Sequence, residues 1–208
     1  MLYIFARALG KQLILTTLLL ALVSCSNDKT LSPLSQSDII LAFGDSLTYG
    51  TGAARENSYP AVLANLTNLT VINSGIPGDT TDDGLNRIAS VLEQEQPRLV
   101  LLCLGGNDFL RKKSSQSIAA NLTALISEIQ SSGAEVVLIA VPKPAIFLSD
   151  ADLYEEVARQ HNIPLLSHEL TDLLSEDDFK SDAIHLNAAG YEKLAEQVHQ
   201  FLIEQGAL

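Results

Sequence analysis

"IILAFGDSLTYGTG", residues Ile39 to Gly52, joins five apolar residues to Gly-Asp-Ser and then to a small, polar, glycine-rich stretch. An unbroken apolar run of strand length fits a strand covered on both faces, and the glycine after it marks a sharp turn. That turn delivers Ser46 to the carboxyl end of a buried strand. Similar runs follow at Leu69 to Asn73, Leu99 to Leu104, Val136 to Val141 and Ile163 to Ser167. Helical patterns alternate with them, over Tyr59 to Leu66, Thr81 to Gln94, Ser115 to Ser131, Ala151 to His161 and Ala188 to Ile203. Strands and helices in alternation form a parallel sheet with right-handed crossovers and helices on both faces. The fold class is α/β, a doubly wound α/β/α sandwich, built as one domain from residues 38–208.

In such sheets the loops beyond the carboxyl ends of the strands converge on one crevice. Those loops read "GDS" after the first strand, "SGIPGDT" after the second, "GGND" after the third and "VPKPAIF" after the fourth. A serine hydroxyl is a weak nucleophile until a base takes its proton, so a hydrolytic role for Ser46 requires a histidine and an orienting carboxylate. Of the four histidines, only His185 has an acid in a suitable frame, Asp182 in "SDAIH". In a tight turn one carboxylate reaches Nδ1 of that ring and leaves Nε2 facing outward, so Asp182 sets the tautomer and His185 serves as base and then acid. Three donors are candidates for the oxyanion hole: the backbone N–H of Ser46, the backbone N–H of Gly78 and the side-chain amide of Asn107. Asp45 reads as a structural residue of the turn, and Asp79 and Thr80 as caps of the helix that follows. Phe109, Leu110, Ile146 and Phe147 are candidates for an acyl pocket, with packing as loop anchors on the core the alternative. The basic cluster Arg111 to Lys113 is either a solvated face or an attractor for an anionic headgroup near the site.

Four ordered blocks, "FGDSLTYG", "NSGIPGDT", "LGGND" and "DAIH", resemble those of the SGNH hydrolases, also called GDSL esterases. Within them the resemblance is to the bacterial group of thioesterase I, protease I, lysophospholipase L1 and arylesterases, and it covers nearly the whole domain. It implies a flavodoxin-like, five-stranded parallel sheet, no metal or organic cofactor, and hydrolysis of esters or thioesters through an acyl-enzyme on Ser46. Small-molecule esters and lysolipids are the substrates expected. The same constellation serves carbohydrate and cell-wall O-acetyl esterases, and a binding lipoprotein on a hydrolase scaffold is the non-enzymatic alternative. Leu186 follows His185 where many members have proline, and the "VPKPAIF" loop differs from that of the lysophospholipases.

Ahead of the domain, Arg7 and Lys11 precede the apolar run Leu13 to Val23, which is shorter than the ~20 residues that span a bilayer. "LVSC", Leu22 to Cys25, resembles the lipobox of bacterial lipoproteins. Residues 1–24 are thus expected to be a signal peptide, Cys25 a lipidated N-terminus anchoring the chain in a membrane, and residues 26–37 a polar tether. Ser26 after the cysteine favours the outer membrane of a Gram-negative cell envelope, facing the periplasm. The formal charge of −12 becomes −14 once the two cations before Cys25 are removed, which makes the domain a poor partner for nucleic acid. With Cys25 lipidated, only Cys103 remains, and it reads as a small buried hydrophobe that forms no disulfide or Cys/His metal cluster.

Overall fold

The structure, a computed structural model, describes residues 31–143 and 148–208. Cys25, Ile146 and Phe147 lie outside the described residues. In chain order the elements are β1 (Ile39–Gly44), α1 (Ser46–Tyr49), α2 (Tyr59–Thr67), β2 (Thr70–Gly75), α3 (Thr81–Glu95), β3 (Leu99–Cys103), α4 (Gly106–Leu110) and α5 (Ser115–Ser131). They continue with β4 (Glu135–Ile139), β5 (Pro142–Lys143), β6 (Ser149–Asp150), α6 (Leu153–His161), β7 (Leu165–Leu166), α7 (Glu169–Ser175) and α8 (Ala188–Gln205). Single 3-10 turns lie at Arg55–Asn57 and Asp177–Phe179.

Five strands form one parallel sheet in the order β2-β1-β3-β4-β7, the flavodoxin-like order. Helices α2 and α8 pack together, and on the other side α3 packs on α5 and α5 on α6. The strands lie between these layers, which is why Ile40 to Phe43 and all of β3 are buried and continuously apolar. Each large side chain so covered contributes about 1.5–3 kcal/mol relative to exposure. Register matters most for function. Gly44 sits beside Gly75 and Cys103, so the first three strands end in one row and their loops leave from one edge.

Close packing at that row dictates glycine. A Cβ on Gly44 would lie 2.4 Å from the carbonyl oxygen of Cys103, and one on Gly75 would lie 2.2 Å from the backbone nitrogen of Tyr49. Helix α3 begins with a reciprocal cap in which Thr80 is the N-cap and Asp83 binds back to its N–H.

The last strand is shorter than its apolar run suggests, two residues at the sheet edge paired to β4 alone. The fourth stops at Ile139, and Pro142–Lys143 turns away to pair antiparallel with Ser149–Asp150. Helix α6 correspondingly begins at Leu153, after this hairpin. Helices α1, α4 and α7 have four, five and seven residues, too few to show a helical period in sequence.

Within the stretch expected to be a tether, Leu31 to Leu34 are docked on the domain. Leu31 is buried, its N–H donates to the Gln205 carbonyl at 3.1 Å, and the Leu34 N–H donates to the Ala207 carbonyl at 2.8 Å. Ser32 donates through its N–H and hydroxyl to the Glu135 carboxylate at 3.1 to 3.2 Å. Two leucines in a polar stretch provide the apolar contacts, and the end of α8 with the chain just after it supplies the accepting carbonyls.

Candidate active site

At the end of β1, Asp45 accepts from the Leu47 N–H at 3.0 Å and so caps α1, setting Ser46 at the first helical position. Ser46 is half-buried, at the sheet's carboxyl edge. Opposite it stands a closed loop between Phe179 and Asn187. Lys180 and Leu186 form an antiparallel bridge, the Ser181 N–H donates to the His185 carbonyl at 2.9 Å, and the Asn187 amide donates to the Asp178 carbonyl at 2.8 Å. Leu186 is fully buried. The stiffness that a proline would lend this turn comes instead from a buried anchor and a ring of backbone bonds. Tyr191 of α8 ties the loop to the serine side through its hydroxyl, which donates to the Thr51 carbonyl at 2.8 Å.

This framework brings the three predicted residues into line. His185 Nε2 lies 3.0 Å from Ser46 Oγ, and Nδ1 lies 2.8 Å from Asp182 Oδ2. The second carboxylate oxygen of Asp182 accepts from the N–H groups of Ile184 and His185, both at 2.9 Å. Partial desolvation works against the charge on Asp182, but these hydrogen bonds and the neighbouring ring outweigh it and hold its pKa below the ordinary value. An ionised carboxylate only accepts, so the proton sits on Nδ1 and Nε2 is left to accept from the serine hydroxyl.

The three proposed donors lie around the same edge. Gly78 occupies a turn closed by the Asp79 N–H donating to the Ile76 carbonyl at 3.1 Å, with Pro77 and Gly78 at its centre. Its φ of 89° is the left-handed value of the third place in a type II turn, where a side chain is strained. The Arg111 guanidinium donates to the Gly78 carbonyl at 2.9 Å, which fixes the peptide plane. Asn107, on α4, donates its amide to the Asp79 carbonyl at 3.0 Å and to Asp45 Oδ2 at 3.2 Å. Asp45 is a turn residue, as its sequence position suggests; burial pushes its pKa up to about 7, opposed by the Leu47 N–H and by nearby His185.

Several expectations need correction. Asp79 does not cap α3 but pairs with Arg87 at 2.8 Å. Phe109 packs against the core, whereas its neighbour Leu110 lines the cleft beside Ser46. That cleft is largely apolar, with Leu47, Val141, Pro142, Leu148, Leu174 and Ile184 in its walls. The basic cluster is mostly paired: Arg111 lies 3.8 Å from Asp83, and Lys113 binds Asp82 and approaches Asp108 at 3.3 Å. Lys112 is exposed. Among the described residues, no three His, Cys, Asp or Glu side chains are grouped to hold a metal ion.

Two residues with large roles are not evident from sequence spacing. Asp108, fully buried, accepts from the N–H and hydroxyl of Thr81, both at 2.8 Å, and so ties the third block to the helix of the second. Arg87 lies over the Phe43 ring at 3.8 Å and donates to Asp79, to the Ser74 hydroxyl and carbonyl, and to the Gly44 carbonyl, all within 2.8 to 3.0 Å. It holds the ends of β1 and β2 and the Gly78 turn in one arrangement. Arg87→Met keeps the stem and removes every one of these bonds, leaving the Asp79 carboxylate without its cation and the Ser74 hydroxyl and carbonyl without the guanidinium, while the Gly44 carbonyl keeps the Ile76 N–H at 3.0 Å. The expected loss is about 2–4 kcal/mol in urea unfolding. A loss near zero would show that water replaces the guanidinium.

A hydroxyl, an imidazole and a carboxylate in line at the carboxyl edge of a parallel sheet define the class, a serine hydrolase. Residues 42–193 match the GDSL-like Lipase/Acylhydrolase family, and the chain belongs to it. It is 35% identical over 186 residues to an arylesterase of Vibrio mimicus, covering 84% of this chain and 93% of that protein. It is 31% identical to thioesterase 1/protease 1/lysophospholipase L1 of Escherichia coli strain K12, covering 73% of this chain and 76% of that protein. Among solved structures, that of TesA superposes with a TM-score of 0.74 at 27% identity, over 81% of this chain and 99% of its own.

Proposed function

We propose that the protein hydrolyses small carboxylic esters and thioesters, aryl esters and lysolipids among them, through an acyl-enzyme on Ser46. The observation that carries this reading is the continuous line from Asp182 through His185 to Ser46, at 2.8 and 3.0 Å, beside an apolar cleft. Ser46 Oγ attacks the carbonyl carbon as His185 Nε2 takes its proton, and Asp182 stabilises the imidazolium that results. The new oxyanion is held by the N–H groups of Ser46 and Gly78 and by the Asn107 amide. Collapse expels the alcohol or thiol, which receives the proton from His185. Water then enters by the same route and releases the acid. Acyl groups are accommodated by Leu110, Leu174 and Ile184.

The lipobox "LVSC" and the n- and h-regions before it support a diacylglyceryl anchor on Cys25, and Ser26 supports an outer-membrane position facing the periplasm. The test of the activity is a series of p-nitrophenyl esters of increasing acyl length. Turnover through at least medium chains is the expected result, in keeping with the apolar cleft. Turnover confined to acetate would favour O-acetyl esterase activity, and the absence of turnover on any ester would contradict the proposal.

A further inference from the structure

Leu31 to Leu34 fix where the chain leaves the domain. They bind Gln205, Ala207 and Glu135, and Glu135 is the first residue of β4, so the exit lies at the amino edge of the sheet. Ser46, Asn107 and His185 lie at the carboxyl edge. Helix α8 runs the whole distance between the two, from just after His185 to Gln205. Its 18 residues, at ~1.5 Å each, put the exit roughly 27 Å from the catalytic histidine. We infer that the anchored enzyme carries its active site away from its own bilayer and acts on esters dissolved or dispersed in the aqueous compartment, not on lipids of the leaflet that holds it. This rests on the lipidation of Cys25 proposed above.

Chain length decides the point. From Cys25 to Leu31 there are six residue steps, which span at most ~21 Å however they are arranged. To lay the catalytic edge on the membrane, the exit point must rise above the surface by the full depth of the domain, ~27 Å along α8 alone. With the domain upright on that edge the reach falls about 6 Å short. Were the chain free as far as Asp38, seven more steps would add ~24 Å and the constraint would vanish, so the contacts of Leu31, Ser32 and Leu34 are what impose it. Exposed Ile76, Leu110 and Ile184 surround the catalytic edge, and on this geometry the acyl groups they meet come from solution.

The experiment uses the full, lipidated chain in phospholipid vesicles containing a headgroup-labelled acceptor lipid. A donor dye is placed either on Ile184→Cys at the catalytic rim or on Ser131→Cys at the amino edge; native Cys103 is buried and does not compete. Energy transfer from the rim dye is expected to be lower than from the amino-edge dye by a factor of about two or more, given the ~27 Å between the edges. A 24-residue Gly/Ser insert between Asn27 and Asp28, about 25–30 Å in root-mean-square span, is expected to raise transfer from the rim. The same insert should raise turnover of a fluorogenic ester lipid resident in those vesicles while leaving a soluble ester unaffected. Equal transfer from the two native positions, or resident lipid cleaved equally well at native spacing, would overturn the inference. The mass of the N-terminal peptide reads the anchor separately, and an unacylated Cys25 would overturn it through that premise. Loss of turnover on every ester would overturn the esterase reading and with it the choice of substrate, while the dye distances, measured without catalysis, separately decide which way the catalytic edge faces.

Discussion

Ser46→Ala is expected to lower kcat by ~10⁴–10⁶-fold on any ester the enzyme cleaves, with unfolding almost unchanged. The size follows because, among the described residues, no second nucleophile stands in line with His185 Nε2, so the residual rate is what the oxyanion donors and binding give to attack by water. Stability is preserved for a local reason. The N-cap of α1 is Asp45, not Ser46, so alanine at the first helical position removes no cap. The serine side chain is also half-buried at a cleft rather than packed in the core. Steady-state kinetics beside thermal unfolding reads both effects. Retained kcat would move the nucleophile elsewhere.

Asn107→Ala is expected to cost ~10²–10³ in kcat with little change in KM, because an oxyanion donor acts when charge develops on oxygen and not in the ground state. The amide has a resting role too, donating to the Asp79 carbonyl and to Asp45. The bond to Asp45, at 3.2 Å, is the longer one, and exchanging it for the oxyanion costs less than giving up the bond to Asp79. Alanine therefore also loosens the contact between the second and third blocks, by about 1–2 kcal/mol. Kinetics separates the two roles. A purely structural amide would lower stability and leave kcat of the folded fraction intact.

Much of this site was legible in the sequence because its parts lie on short, local motifs at strand ends. Ser46 follows a continuously apolar strand, Gly78 sits in a Pro-Gly turn, and Asp182 and His185 are three residues apart, so each is marked by its own neighbours. The centre of the sheet was legible for the same reason: β1, β3 and β4, covered on both faces, have no polar alternation to confuse with loops. What escaped depends on distant partners. Arg87 looks like one polar residue on an amphipathic helix, and its role exists only because β1 and β2 end beside it. Phe109 and Leu110 are adjacent and both apolar, and only the orientation of the five-residue α4 sends one to the core and the other to the cleft. The docking of Leu31 and Leu34 likewise required the position of the chain after α8. Two leucines in a polar stretch were its only local sign.

The most direct test of the Ser46–His185–Asp182 assignment is titration with a fluorophosphonate followed by peptide mapping. One adduct per chain on Ser46 is expected, forming rapidly in the native enzyme and ~10³-fold or more slowly in His185→Ala, where no base takes the hydroxyl proton. An adduct on another residue, or labelling of Ser46 at the same rate without His185, would contradict it.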